Sequence, residues 1–413
     1  IKPMPHRKKH NAKGIEGGYV KQPTMGVKNN VAVLDAKCVD KETEVLTLNG
    51  WKYIESVNWN DYVASYNENK QLVEYTKPLH IHNYEYNGDM ILCENNHVNF
   101  CVTPNHRLYI SNQRYRYKDG SWYKPYKYIA AENIKKGKYK ILDKFNFENI
   151  EHLEYITFGK YKIKSQTFMK FVGLMLSEGC ITKDSLIISQ SKENGIKYIR
   201  KVMEDIGIKY TERITYVKNK LPIHTFSIYS MELRKEYINI FGNKKCNKKY
   251  IPRNIINLDK KNLECLLDGL MVGDGCYNGK VLFYTTISKQ LADDVQEISC
   301  KLGLRTWIYI KDRRNEGKNI EYYVRYSLKN VPSRFNFKEL VTVKNNYDRV
   351  YCLTTTNSNF VMRRKGIISV TGNSLYPSII LAKNISPDVD FMIPKVITFI
   401  LNEREKYRKL KLE

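Results

Sequence analysis

The chain has 413 residues and a formal charge of +26, from 69 Lys+Arg against 43 Asp+Glu. It contains no apolar run of membrane-spanning length, no signal peptide and no CxxC pair among its nine cysteines, which argues against a membrane protein, a disulfide-stapled secreted scaffold and a zinc ribbon. A cytoplasmic protein with free thiols is expected, and the positive excess, interleaved with 32 Tyr, fits either a polyanion partner such as nucleic acid or a Lys-rich solvated surface.

At this length two or three domains are expected, and both ends read as cut from something longer. After GGYVKQP, the stretch VAVLDAK (residues 31–37) reads as an apolar strand carrying Asp35. From Cys38 the character changes. CVDKETEVLTLNGWKYIESV gives a strand, an Asn-Gly turn and a second strand. DYVASYN, MILCENNHVNFCVTPNHRLYI and YIAAENIKKGKYKIL continue the short alternating strands, so residues 38–145 are expected to be mainly β. Within them the basic aromatic stretch QRYRYKDGSWYKPYKY (113–128) reads either as a nucleic-acid contact or as a surface loop. Residues 146–164 are a linker or a second contact segment.

The middle of the chain repeats itself. Residues 171–208 (FVGLMLSEGCITKDSLIISQSKENGIKYIRKVMEDIGI) align without a gap on 267–304 (LDGLMVGDGCYNGKVLFYTTISKQLADDVQEISCKLGL). Gly173 meets Gly269, Glu178 meets Asp274, Cys180 meets Cys276 and Gly207 meets Gly303. Each copy reads as a helix, an acidic-Gly stop, a strand and an amphipathic helix ending at Gly. The first helix of each copy is apolar nearly all round, so it is expected to be buried. Small residues four apart, Gly173 and Ser177, Gly269 and Gly273, lie on one face and let two helix backbones meet about a pseudo-twofold axis. Glu178 and Asp274 then fall at helix C-termini, where a carboxylate opposes the dipole at about 0.3–1 kcal/mol. Two brought together also repel, and a bound divalent cation removes both costs. A plain helix stop is the blander reading of either Gly pair alone.

These motifs, FVGLMLSEG and LDGLMVGDG, resemble those of the LAGLIDADG homing endonucleases over about residues 165–345. The resemblance implies a pseudosymmetric unit of αββαββα repeats whose sheets form a saddle over double-stranded DNA. Glu178 and Asp274 would hold divalent metal, Mg²⁺ above all, since hard carboxylate oxygens suit that ion. The basic residue such enzymes use near the metal has four candidates here, Lys192, Lys249, Lys289 and Lys344. Ser177-Glu178 departs from the commonest Ala-Asp form, so DNA binding without cutting stands as the alternative.

After the repeat, RVYCLTTTNSNFVMRRKGIISVTGN (349–373) returns to β character. The segments on both sides of the repeat resemble the splicing blocks of an intein. Cys38 opens the first block, Thr103-Pro104-Asn105-His106 matches the TxxH block, VYCLTTTNSNF resembles the penultimate block, and Asn373 ends the last one before Ser374. The resemblance implies a mixed architecture: an all-β Hint (horseshoe) splicing domain over 38–145 and 346–373, interrupted by the α/β endonuclease. It also implies roles. Cys38 would attack the Lys37 carbonyl to give a thioester, with Thr103 and His106 assisting. Ser374 would take over the acyl group, Asn373 would cyclise to release the segment, and an oxygen-to-nitrogen shift would join Lys37 to Ser374, with no cofactor. Cys352 stands where the penultimate block often has Asp or Cys, and it or backbone donors would assist the cyclisation of Asn373. Gly372 departs from the His usual there, so slow release of the C-terminal flank is expected, with acceleration in Gly372→His as its test.

Joining Lys37 to Ser374 gives VAVLDAKSLYPSII, which resembles the D-x-x-SLYPS motif of archaeal-type family B DNA polymerases, with Asp35 as a catalytic metal ligand after splicing. Residues 1–37 and 374–413 would be flanking polymerase fragments. The remaining polymerase and DNA carrying the uninterrupted junction are the expected partners, with no membrane and a monomeric chain. A Hedgehog-type autoprocessing domain would share the β fold but would need neither the repeat nor Asn373-Ser374. A plain DNA-binding module would leave Cys38 and Asn373 unexplained.

Overall fold

Short alternating strands from the two sides of the repeat fold into one β-rich body, because neither set alone covers its apolar face. The computed structural model describes residues 37–113, 125–148, 152–279, 281–327 and 333–373; Asp35, Ser374 and most of the 113–128 stretch lie outside these. Among the described residues no helix is long and apolar enough to cross a membrane.

Strand Asn359–Arg364 lies between Glu44–Thr47 and Ile367–Gly372, so residues over 300 positions apart in sequence are neighbours in one sheet. Arg349–Thr354 pairs antiparallel with His80–Glu85. Val39 bonds Tyr351 in both directions, at 2.8 and 3.0 Å. All six residues of Asn359–Arg364 are buried, which is the pattern of a strand covered on both faces. Its two arginines point opposite ways. Arg363 stacks over Trp51 at 4.5 Å and bonds Glu44 at 2.6 and 2.7 Å, while Arg364 bonds Asp40 and Asn99.

The repeat folds as αββαββ units. In the first copy α1 (Ser165–Ser177) leads into strands Gly179–Ile181 and Leu186–Gln190, then α2 (Glu193–Ile206), strands Thr211–Thr215 and Ile223–Ile228, and α3 (Met231–Phe241). A single turn, α4 (Arg253–Ile256), precedes the second copy. There α5 (Lys260–Asp274) is followed by strands Gly275–Tyr277 and Leu282–Thr286, α6 (Lys289–Lys301), and strands Thr306–Lys311 and Glu321–Tyr326. Strands pair in the same order in both copies, first with second, second with fourth, fourth with third.

Helices α1 and α5 meet through backbone. A Cβ on Gly173 would lie 2.5 Å from the Leu266 carbonyl, and one on Gly269 would lie 2.3 Å from that of Lys170. Only glycine permits this approach, and the apolar flanks Phe168, Phe171, Leu174, Leu266 and Leu270 are all buried around it. Each such side chain removed from water contributes roughly 1.5–3 kcal/mol. Gly207, in the left-handed region at φ 74°, ends α2, and Gly303 follows α6 at φ 72°.

Two expectations are adjusted. The second copy has no counterpart of α3 among the described residues, so it is αββαββ rather than αββαββα. Strands Arg334–Asn336 and Leu340–Lys344, placed from sequence inside the 165–345 endonuclease region, pair with Lys138–Ile141 and Asp89–Glu94 of the β body. The cause is Phe335, buried between Tyr139 and Phe100 at ring distances of 5.5 and 5.7 Å, which draws the chain back to the body. The second copy is also tied in directly. Trp307 is bridged to Ile367, Arg363 bonds Asp293 and Gln296 of α6 at 2.7 and 2.9 Å, and Arg253 bonds both Glu297 and the Leu48 carbonyl.

Candidate functional site

Two separate centres emerge. The first gathers Cys38, Thr103, His106 and Asn373, each at most 1% exposed. The Cys38 N–H donates to Thr103 Oγ1 at 3.0 Å, and the Thr103 N–H donates to the Cys38 carbonyl, also at 3.0 Å. Thr103 is held in turn by Asn105 Oδ1 at 2.9 Å, and the His106 N–H donates to the Thr103 carbonyl. The Thr103–His106 turn thus sits against the Lys37–Cys38 peptide.

The His106 ring lies between the two ends of the body. Its Nε2 is 2.6 Å from Thr371 Oγ1. Burial pushes its pKa down to about 4, against a smaller opposing effect of the Lys37 backbone. That effect is the one a carbonyl acceptor near the ring would have, and Nδ1 has no hydrogen-bond partner among the described residues. Cys352 is buried, with Sγ 3.5 Å from the Leu353 carbonyl. The Val39–Tyr351 bridge places it opposite Cys38 in the antiparallel register.

Asn373 follows strand Ile367–Gly372 into a pocket of polar backbone. Its N–H donates to the Ser358 carbonyl at 3.0 Å, and its side-chain Nδ2 lies 3.5 Å from the Thr355 carbonyl. Arg107, the residue after His106, donates from Nη2 to the Asn373 carbonyl at 2.7 Å and stacks over Tyr128 at 5.2 Å. Sequence reading missed Arg107 and Thr371. Their signals were weak ones: adjacency to His106, and a position two before Asn373 on a strand, hence on the same face.

The second centre lies where α1 and α5 end. Glu178 caps α1 and Asp274 closes α5, both half-buried. Burial, opposed by the Gln190 bond to Oε1 at 3.2 Å, raises the Glu178 carboxyl above its ordinary value. Burial, and then the Glu178 charge, push Asp274 up to about 6. Tyr284 is wholly buried, feels both carboxylates, and its hydroxyl has no partner. Two repelling carboxylates beside an orphaned hydroxyl fit a hydrated divalent cation, which takes oxygen ligands and keeps several waters. No cluster of three or more ligating side chains occurs among the described residues.

The four lysine candidates separate. Lys249 Nζ donates to the carbonyls of Leu176 and Gly179 at 2.8 and 3.0 Å, and burial, opposed by nearby carboxylates, lowers its pKa. Lys192 also acts on both carboxylates and lines, with Asn194, Tyr198 and Gly275, an open cleft of about 520 Å³. Lys289 and Lys344 are instead paired with Asp293 and Asp89.

Residues 264–349 match the family model described as LAGLIDADG-like domain. The chain is 26% identical over 321 residues to the ATP-dependent Clp protease proteolytic subunit of Chlamydomonas moewusii, covering 72% of this chain and 31% of that protein. It is 25% identical over 477 residues to the DNA polymerase of Thermococcus kodakarensis, covering 95% of this chain and 26% of that protein. It therefore spans about a third or less of these relatives. A crystal structure of I-DmoI in complex with DNA and Mn is 19% identical and covers 40% of this chain and 90% of its own, at a TM-score of 0.30.

Proposed function

Starting from a chain that carries a LAGLIDADG-like domain over residues 264–349, we propose that residues 38–373 are a self-splicing intein with an embedded homing endonuclease, flanked by DNA polymerase fragments. The observation that carries the reading is the hydrogen-bonded line from the Lys37–Cys38 peptide through Thr103, His106 and Thr371 to the strand ending in Asn373. A protein that only bound or cut DNA has no use for a sealed polar line between two points 335 residues apart. The similarities add support. They run through most of this chain yet reach only 31% and 26% of two proteins whose names share no activity, as expected of an element carried by unrelated hosts.

The chemistry follows from the residues. Cys38 Sγ attacks the Lys37 carbonyl, the C–S bond forms, the C–N bond breaks, and the thiol proton passes to the freed Cys38 amine. Thr103 Oγ1 holds that amide N–H throughout. His106 is neutral at pH 7, so it supplies the Lys37 carbonyl with an N–H donor rather than a full positive charge. Ser374 then takes the acyl group, Asn373 cyclises, and the ester rearranges to a Lys37–Ser374 peptide bond. That bond restores VAVLDAKSLYPSII, with Asp35 in its motif.

At the second centre Glu178 and Asp274 would hold Mg²⁺, which when bound supplies charge stabilisation at a scissile phosphate. Lys249 and Lys192 are the basic groups beside them. Time-resolved mass spectrometry of the purified chain tests splicing: a 336-residue excised species and a 77-residue ligated product are expected. Intact chain that persists with Cys38 and Asn373 present sinks the reading. Cleavage of duplex DNA bearing the uninterrupted junction, lost in Asp274→Asn, tests the endonuclease separately.

A further inference from the structure

Gly372 stands where a histidine would assist cyclisation of Asn373, and Cys352, the side chain expected from sequence to stand in, lies opposite Cys38 in register. We infer that Arg107 does this work, as the catalytic donor that polarises the Asn373 carbonyl. The inference rests on the proposed splicing function and names a residue that function did not require.

Three observations carry it. Arg107 Nη2 lies 2.7 Å from the Asn373 carbonyl oxygen, the atom on which negative charge develops when the side-chain amide attacks. The guanidinium is fixed, since its face stacks on Tyr128, and Tyr128 OH accepts from Asn359 Nδ2 at 3.0 Å. Space at residue 372 is taken by the same two residues. A Cβ there would meet the Arg107 carbonyl at 2.6 Å and the Tyr128 ring at 3.0 and 3.2 Å. A side chain at 372 would therefore crowd the backbone of residue 107 and the ring on which its guanidinium stacks. Gly372→His, expected from sequence to accelerate release, would meet the same crowding.

The step balances without a cofactor. Asn373 Nδ2 attacks the Asn373 carbonyl carbon and a C–N bond forms, closing the succinimide. The Asn373–Ser374 bond breaks, and the proton lost from Nδ2 goes to the departing Ser374 amine. Arg107 keeps its proton throughout, as arginine does at any pH of interest, and donates to the oxyanion. Its neighbour His106 faces the other junction, so two consecutive residues serve the two ends of the excised segment.

The test uses the full chain with Arg107→Gln and Arg107→Lys. Release of residues 374–413 with a succinimide at Asn373 reads the C-terminal step. Thiol-induced cleavage at Lys37–Cys38 reads the N-terminal one. Arg107→Gln is expected to slow release about 10²–10³-fold, the usual effect of removing an oxyanion donor, with N-terminal cleavage changed less than about threefold. Arg107→Lys keeps the charge and should recover part of the rate. Release at the parent rate in Arg107→Gln overturns the inference, as does an equal fall at both junctions, which would mark a structural role. A parent chain that neither cleaves with thiol nor releases its C-terminal flank overturns the splicing reading, and this inference with it.

Discussion

At the junctions, Cys38, Thr103, His106 and Asn373 are at most 1% exposed, whereas Glu178 and Asp274 stand half-buried at two helix ends beside an open cleft. Both leave polar atoms unpartnered among the described residues, His106 Nδ1 and Asn373 Oδ1 at the junctions and the Tyr284 hydroxyl at the helix ends. On the proposed reading the first centre works on its own backbone, so it can be sealed, whereas the second, with its two repelling carboxylates, has to admit an outside molecule. The difference teaches that burial alone does not mark a site.

The sharpest way to break this contrast is to silence each centre alone. Cys38→Ala is expected to reduce splicing roughly 10⁴-fold or more, as loss of a nucleophile does, while duplex cleavage persists. Asp274→Asn is expected to do the reverse, and loss of both activities in either variant would mean the centres are not separate. Next in size is the seam between them. Arg363 is buried among Glu44, Asp293 and Gln296, and Arg363→Ala leaves the Glu44 carboxylate without its cation and Asp293 with Lys289 alone. About 3–5 kcal/mol of stability should be lost, read by urea unfolding, with both activities falling together on warming.

A pH experiment sharpens the contrast from the junction side. His106 has a folded pKa near 4 against an ordinary value of 6.5. Over that interval the unfolded chain binds a proton that the fold does not. The stability this group contributes is complete above about pH 6.5 and lost as pH falls toward 4, about 3 kcal/mol in all. His106→Gln should flatten the stability profile by that amount, and an unchanged profile would show the ring is not held neutral. The smallest effect belongs to the exposed pair Lys197–Glu193 on α2. Lys197→Ala should change stability by less than about 0.5 kcal/mol and neither activity.

Much of this was legible in the sequence because it was local. The repeat fixed α1 and α5, their glycine contact and the meeting of Glu178 with Asp274, since helical spacing alone decides which residues share a face. Cys38, His106 and Asn373 could be picked out as a set but not joined. Their connection depends on strand register between residues 265 positions apart, which no local pattern encodes. Arg107 was hidden for the same reason, and Gly372 read as a defect until the Tyr128 ring was seen in its place. Phe335 explains the misplaced strands: one aromatic residue chose its sheet by the pocket open to it.

The bridge between Trp307 and Ile367 has a consequence for the history of such a chain. The strand that ends in Asn373 is also the margin on which the second copy's sheet grows. Deleting the repeat would leave Ile367 and the Gly366 carbonyl without their partners in the second copy, while Val370 and Thr371 keep Leu142 and Leu108, and would leave Arg363 facing Glu44 alone. The first copy shares no hydrogen bond or ion pair with the β body among the described residues. On the proposed reading, a lineage that lost the endonuclease could shed the first copy without breaking a bond to the β body, whereas the second copy is held to it.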